Sequence, residues 1–151
     1  MKPEENLKKL SVNLPNAPDP VGSYVASKIV GDFIYISGQV SFNTDGNLIK
    51  GKVGKELNLE QGQEAAKFCA LNILAQLKKK CGTLDKVKGC VKLTGYVNST
   101  DSFKDQPKII NGASDLISNI FGDEGRHTRA AISVNSLPLG AAVEVDGIFK
   151  L

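Results

Sequence analysis

Hydrophobic residues recur along this chain with two periods. Over residues 57–80, Ala66, Cys69, Ala70, Ile73 and Leu77 fall at the i, i+3, i+4, i+7 spacing of one buried helical face. Phe68, Leu71 and Leu74 widen that face, so the spacing predicts a helix packed broadly on a sheet. Gly82 is placed to cap it in a left-handed conformation. A second helix is expected over 104–121, with Pro107 in its first turn and Ile109, Ile110, Ala113, Leu116, Ile117 and Ile120 as its apolar face; Gly122 ends it. A shorter helix over 3–10 has Pro3 in its first turn and Glu4 and Glu5 near its positive end.

Elsewhere β-branched and aromatic residues predict strands. "YVASKIV" (24–30) and "FIYISGQV" (33–40), separated by Gly31-Asp32, read as a β-hairpin. The second of these is apolar on both faces, which predicts a central strand covered twice. "LDKVKGCVKLTGYV" (84–97) reads as a short helical turn and then a strand. The last two strands are expected at 128–134 and 141–149, joined by "NSLPLG". Three prolines and a glycine make 13–23 a surface loop, and Asp45-Gly46 marks a turn. The order β-β-α-β-α-β-β predicts an α+β fold, a single sheet with two helices on one face. A chain of 151 residues suits one domain over 1–151, with residues 1–20 as an N-terminal extension.

Composition narrows the function. A net charge of +3 is too small for a dedicated nucleic-acid binder, and Lys78-Lys79-Lys80 reads as a solvated helix end. Cys69, Cys81 and Cys90 form no CxxC pair, and one histidine cannot complete a zinc set, so the cysteines read as reduced, partly buried thiols. No apolar run reaches the roughly 20 residues of a membrane helix, and "MKPEENLKKLSVNLP" has no secretory apolar region, so the expected compartment is the cytoplasm.

Two charged residues stand out in strand-like surroundings, Arg129 and Glu144. Alternation groups Arg129 with Ala131 and Ser133, and Glu144 with Ala142 and Asp146. If the bulky sets Ala130, Ile132, Val134 and Val143, Val145, Phe149 meet the helices, both charges lie on the helix-free face of the sheet. Two readings fit: an Arg129–Glu144 ion pair across the sheet or an interface, or a ligand site in which a guanidinium fork holds a carboxylate and a desolvated glutamate acts as a base. His127, at the start of its strand, reads as a turn or surface residue.

"GSYVASKIVGDFIYISGQV" and "RAAISVNSLPLGAAVEVDG", in this element order over about residues 20–150, resemble the RidA/YjgF family, also called the endoribonuclease L-PSP family. The resemblance implies a chorismate-mutase-like fold and a homotrimer with clefts between subunits. It further implies hydrolytic deamination of small reactive 2-imino acids to 2-oxo acids and ammonia, with no metal or cofactor. By position, Arg129 matches the arginine that clamps the substrate carboxylate, and Glu144 the glutamate that positions or activates water. Tyr24 matches a tyrosine covering the substrate, Ser37 and Gly38 line the imine pocket, and Asn111 matches an asparagine near the cleft. Ala131 stands where the family usually has a cysteine, and "PNAPDPVGSY" replaces a shorter approach to the tyrosine, marking a divergent branch. The alternative is a trimeric module that binds small carboxylates without turnover. RNA cleavage, the source of the older family name, is argued against by the weak basic bias and the lack of a paired acid–base set.

Overall fold

A computed structural model describes residues 1–151. Its elements in chain order are α1 (Pro3–Lys9), β1 (Ser27–Val30), β2 (Phe33–Val40), α2 (Leu59–Cys81), β3 (Gly89–Asn98), α3 (Gln106–Phe121), β4 (Thr128–Val134) and β5 (Val143–Lys150). The strands form one five-stranded sheet in the order β1-β2-β5-β3-β4, antiparallel except for the parallel β3–β4 pair. The last strand in sequence therefore lies in the middle of the sheet, and β4 is an edge.

Both long helices bury the faces that their spacing predicts. Ala66, Cys69, Ala70, Ile73 and Leu77 of α2, and Ile109, Ile110, Ala113, Ile117 and Ile120 of α3, are inaccessible to solvent. They meet Ile34, Leu93, Val97, Val143, Val145 and Phe149 from the sheet in one continuous core. Asn58 opens α2 with a reciprocal cap: its Oδ1 accepts from Gln61 N–H at 2.8 Å, and Gln61 Oε1 accepts from Asn58 N–H at 2.9 Å. Gly82 closes α2 at φ 82°, in the left-handed region that the sequence assigns it.

Glycines let α2 and α3 approach closely. A Cβ on Gly112 would run into the carbonyl of Gln63, and one on Gly62 would lie 2.5 Å from Ile109 Cδ1. The short α1 is pinned across the ends of this pair. Glu4 accepts from Lys78 Nζ at 2.9 Å, from Leu84 N–H at 2.9 Å and from Thr83 Oγ1 at 3.3 Å, while Asn6 Nδ2 donates to Ile120 O at 2.8 Å.

Two expectations change. The β2 strand is covered on one side only: Ile34 and Ile36 are buried under the helices, whereas Phe33 and Tyr35 are 40% and 47% exposed on the opposite face. The alternation of β4 is also inverted. Arg129 pairs with Leu93 and Ala131 with Gly95, residues on the helix-facing side, so Arg129, Ala131 and Ser133 face α3. Ala130 and Ile132 point to the open face, where Ile132 is 48% exposed. The reason is steric. Gly95 already lies against Ile110 of α3, so the row beneath the helix has room only for Ala131, and bulk goes to the other side.

Candidate active site

Arg129 and Glu144 lie on opposite faces of the sheet. Glu144 is opposite Tyr96 of β3 and Val40 of β2, on the helix-free side, while Arg129 lies on the helix side of the edge strand. Neither takes part in any ion pair of the chain, which removes the intrachain Arg129–Glu144 bridge as an account of them.

The Glu144 half of the site is built around a break in the β2–β5 register. Ile36 pairs with Gly147 and Gln39 with Val145, so the strand bulges at Ser37-Gly38. Bulges re-aim side chains beside sites, and here the bulge brings Gly38 directly over Glu144. A Cβ at position 38 would collide with the Glu144 carboxylate, so any larger residue there must push that carboxylate aside. Ser37 Oγ donates to Val25 O at 2.6 Å and Ser37 N–H donates to Ala26 O at 2.9 Å, which hold the chain just after Tyr24 against the bulge. Gln76 Nε2 of α2 donates to Pro18 O at 2.6 Å and ties down the proline-rich approach. Tyr24, Ser37, Gly38 and Glu144 thereby line one cavity of about 1120 Å³, with Tyr35, Leu139 and Ile148 among its apolar walls. Glu144 is half-buried. Burial, reinforced by the nearby Asp146 carboxylate, pushes its carboxyl above the usual range. Asp146 itself accepts from Tyr96 Oη at 3.0 Å.

The Arg129 half is assembled by α3. Arg129 Nη1 donates to Asn111 Oδ1 at 2.8 Å and to Ser114 Oγ at 3.2 Å, and Nη2 donates to Pro107 O at 3.4 Å. Every acceptor is neutral, so the guanidinium is oriented while its charge stays uncompensated. Of the residues picked from sequence, Arg129, Asn111 and the neighbouring Ala131 belong here, and the other four belong to the cavity on the far face. Ser114 and the Pro107 carbonyl were not legible as site groups. The i, i+3 spacing of Asn111 and Ser114 on one helix was the available signal.

The arrangement supplies a fixed cation that can bind a carboxylate and, separately, a desolvated carboxylate that can hold or release a proton. Within one chain the two do not converge.

Residues 4–149 match the family described as "YjgF/chorismate_mutase-like, putative endoribonuclease". The chain is 45% identical over 147 residues to Protein TCP17 of Trypanosoma cruzi, covering 97% of this chain and 92% of that protein. A solved structure from Shewanella oneidensis MR-1, 34% identical, superposes with a TM-score of 0.95 over 100% of both chains. A more distant relative, the 2-iminobutanoate/2-iminopropanoate deaminase of Rattus norvegicus, is 27% identical over 140 residues, or 91% of this chain and 86% of that one. Together with the five-stranded sheet, the two helices on one face and the glycine-gated glutamate, these matches place the chain in the YjgF/RidA family.

Proposed function

We propose that this protein hydrolyses small 2-imino acids to 2-oxo acids and ammonia, in clefts completed between three copies of the chain. The observation that carries the reading is the state of Arg129, oriented by neutral acceptors and unmatched by any carboxylate of its own chain. Such a group suits the carboxylate that every 2-imino acid carries. Bound by that carboxylate, the substrate presents its C=N carbon to water. Glu144 takes one proton from water as it adds to the C=N carbon and passes it to the nitrogen. The carbinolamine hydroxyl then gives up its proton, again by way of Glu144, to the nitrogen as the C–N bond breaks, leaving the 2-oxo acid and ammonia. Imines are electrophilic, so orientation and one proton carrier suffice. The relative with deaminase activity in its name supports the same chemistry.

The geometry supports a cleft shared between copies. Arg129 and Glu144 cannot meet across the sheet of one chain, and the cavity beside Glu144 exceeds the roughly 300–1,000 Å³ of ordinary small-molecule sites. A four-carbon acid would leave most of it empty, so a neighbouring subunit is the natural second wall. The exposed Phe33, Tyr35 and Ile132 give the open face the apolar character of an interface. Three unpaired thiols, Cys69, Cys81 and Cys90, suit the reducing cytoplasm as its place of work.

Coupling the protein to an enzyme that releases 2-iminobutanoate tests the reading. Wild-type protein should accelerate imine loss, and Arg129→Ala should lower kcat/KM roughly a hundredfold, about 3 kcal/mol for a charged bidentate contact. An Arg129→Ala protein with full activity would overturn it. Ala131, in the position of the family's usual cysteine, favours the second reading, a binding module. Under it, 2-oxobutanoate would raise Tm while no imine is consumed.

A further inference from the structure

His127, the only histidine in the chain, takes no part in the chemistry above. Yet it ends a hydrogen-bond chain that begins at Arg129. Arg129 Nη1 donates to Ser114 Oγ at 3.2 Å, Ser114 Oγ lies 2.9 Å from His127 Nε2, and His127 Nδ1 lies 2.6 Å from the carbonyl of Gly125. With the imidazole in its neutral form, the two ends fix the direction of every link. A guanidinium only donates and a carbonyl only accepts. Nδ1 therefore carries the imidazole proton, Ser114 donates its own hydrogen to Nε2, and Ser114 Oγ is left to accept from Arg129. A serine hydroxyl otherwise rotates freely. Here the histidine turns its lone pairs toward the arginine.

The far end of the chain is rigid. Gly125 is buried against the last turns of α3, where a Cβ would lie 2.7 Å from Ile117 O and 2.8 Å from Ser118 Cα. The near end uses the guanidinium selectively. Asn111 and Ser114 occupy both hydrogens of Nη1, and Pro107 O takes one of Nη2. The two N–H groups outside these contacts are Nε–H and the second of Nη2. Both remain available to a carboxylate, the anion that paired guanidinium N–H donors suit.

We infer that Ser114 and His127 are positioning residues for Arg129: they fix its rotation so that the N–H groups these contacts leave out are the ones offered to the substrate carboxylate. The inference rests on the carboxylate-clamp reading and adds to it the residues that set the clamp. His127, one residue before β4, and Arg129 within it both reach Ser114 of α3. His127 is thus a buttress of the site, where the sequence suggested a turn or surface residue.

The test measures 2-oxobutanoate affinity by titration calorimetry, and KM and kcat for imine hydrolysis, on the full chain. Ser114→Ala and His127→Phe should each weaken 2-oxobutanoate binding and raise KM about five- to tenfold. Tm and kcat should stay close to wild type. Ser114→Thr, which keeps the hydroxyl, should restore both constants, a rescue that a merely structural role would not produce. Because both residues act through one chain, the double variant should bind no worse than the weaker single variant. Arg129→Ala separates the two levels. If it abolishes binding while Ser114→Ala and His127→Phe bind as wild type does, this inference fails and the clamp stands. If Arg129→Ala itself binds normally, the clamp falls and this inference with it. Should Ser114→Ala fail to fold, His127→Phe and Ser114→Thr decide the matter by the same readings.

Discussion

A methyl group at Gly38 would run into the Glu144 carboxylate, which makes Gly38→Ala the sharpest single-residue probe of the site. Activity should fall at least tenfold while Tm drops by no more than a few degrees, because the collision is with one carboxylate and not with the core; kinetics and a melting curve check both. Glu144 offers a pH test. Burial first, and Asp146 second, raise its carboxyl above the usual range, so the folded chain keeps this proton to a higher pH than the unfolded chain does. The stabilisation from protonation is complete below the ordinary carboxylate range and is lost as pH rises through the raised folded value. Glu144→Gln removes that loss and should melt above wild type at pH 7, with the gap closing as pH falls toward 4. The ionised form is the one that accepts a proton, so kcat/KM should rise with pH through a limb above the ordinary carboxylate range, and the residual activity of Glu144→Gln should lack it. Residue types carried much of this in advance: an arginine and a glutamate in strand surroundings are expensive and point to chemistry. The bulge at Ser37-Gly38 left one mark, an isolated glycine inside a strand pattern, which also suits a close backbone approach and so does not by itself specify a bulge.

Among the elements, the helices were the most legible, because a buried helical face repeats over many turns and both α2 and α3 bury it as spaced. The edge strand β4 was read onto the wrong face. Alternation gives two rows but does not say which row the helix covers, and the rule that bulk goes inward fails where a helix lies close. Ala131 is small because α3 is near, and Ile132 is large because nothing in its own chain covers it. That closeness can be tested at the helix pair. Gly112→Ala pushes a methyl into the Gln63 carbonyl and should cost about 2 kcal/mol or more, read as a lower denaturation midpoint. At the other end α1 works as a clip. Burial tends to raise the Glu4 carboxyl, but the bonds from Leu84 N–H, Lys78 and Thr83 outweigh it and hold it below its usual range. Its contribution is therefore present above the ordinary carboxylate range and lost as pH falls through the lowered folded value. Glu4→Gln should cost about 1 kcal/mol at pH 7 and almost nothing in strong acid.

For the whole molecule, the layout of the sheet governs. Its helix-covered face closes the core, and its open face carries Tyr35, Phe33 and Ile132 together with the half-buried Glu144. The proposed trimer should run at about 48 kDa, three times the 16.1 kDa of one chain, in light scattering. Ile132→Glu should shift it toward single chains without unfolding them. The sequence could not reveal assembly from its own pattern, because a row of large residues reads the same whether a helix or another copy covers it. The separation of Arg129 and Glu144 by the thickness of the sheet also has a genetic consequence. Each proposed cleft draws its arginine from one copy and its glutamate from another, so two impaired proteins can repair one another. Arg129→Ala and Glu144→Gln chains, unfolded together and refolded as a mixture, should regain activity in about a quarter of the clefts by random assortment. Each refolded alone should stay at its low residual rate, and mixing either with a chain carrying both substitutions should give no gain.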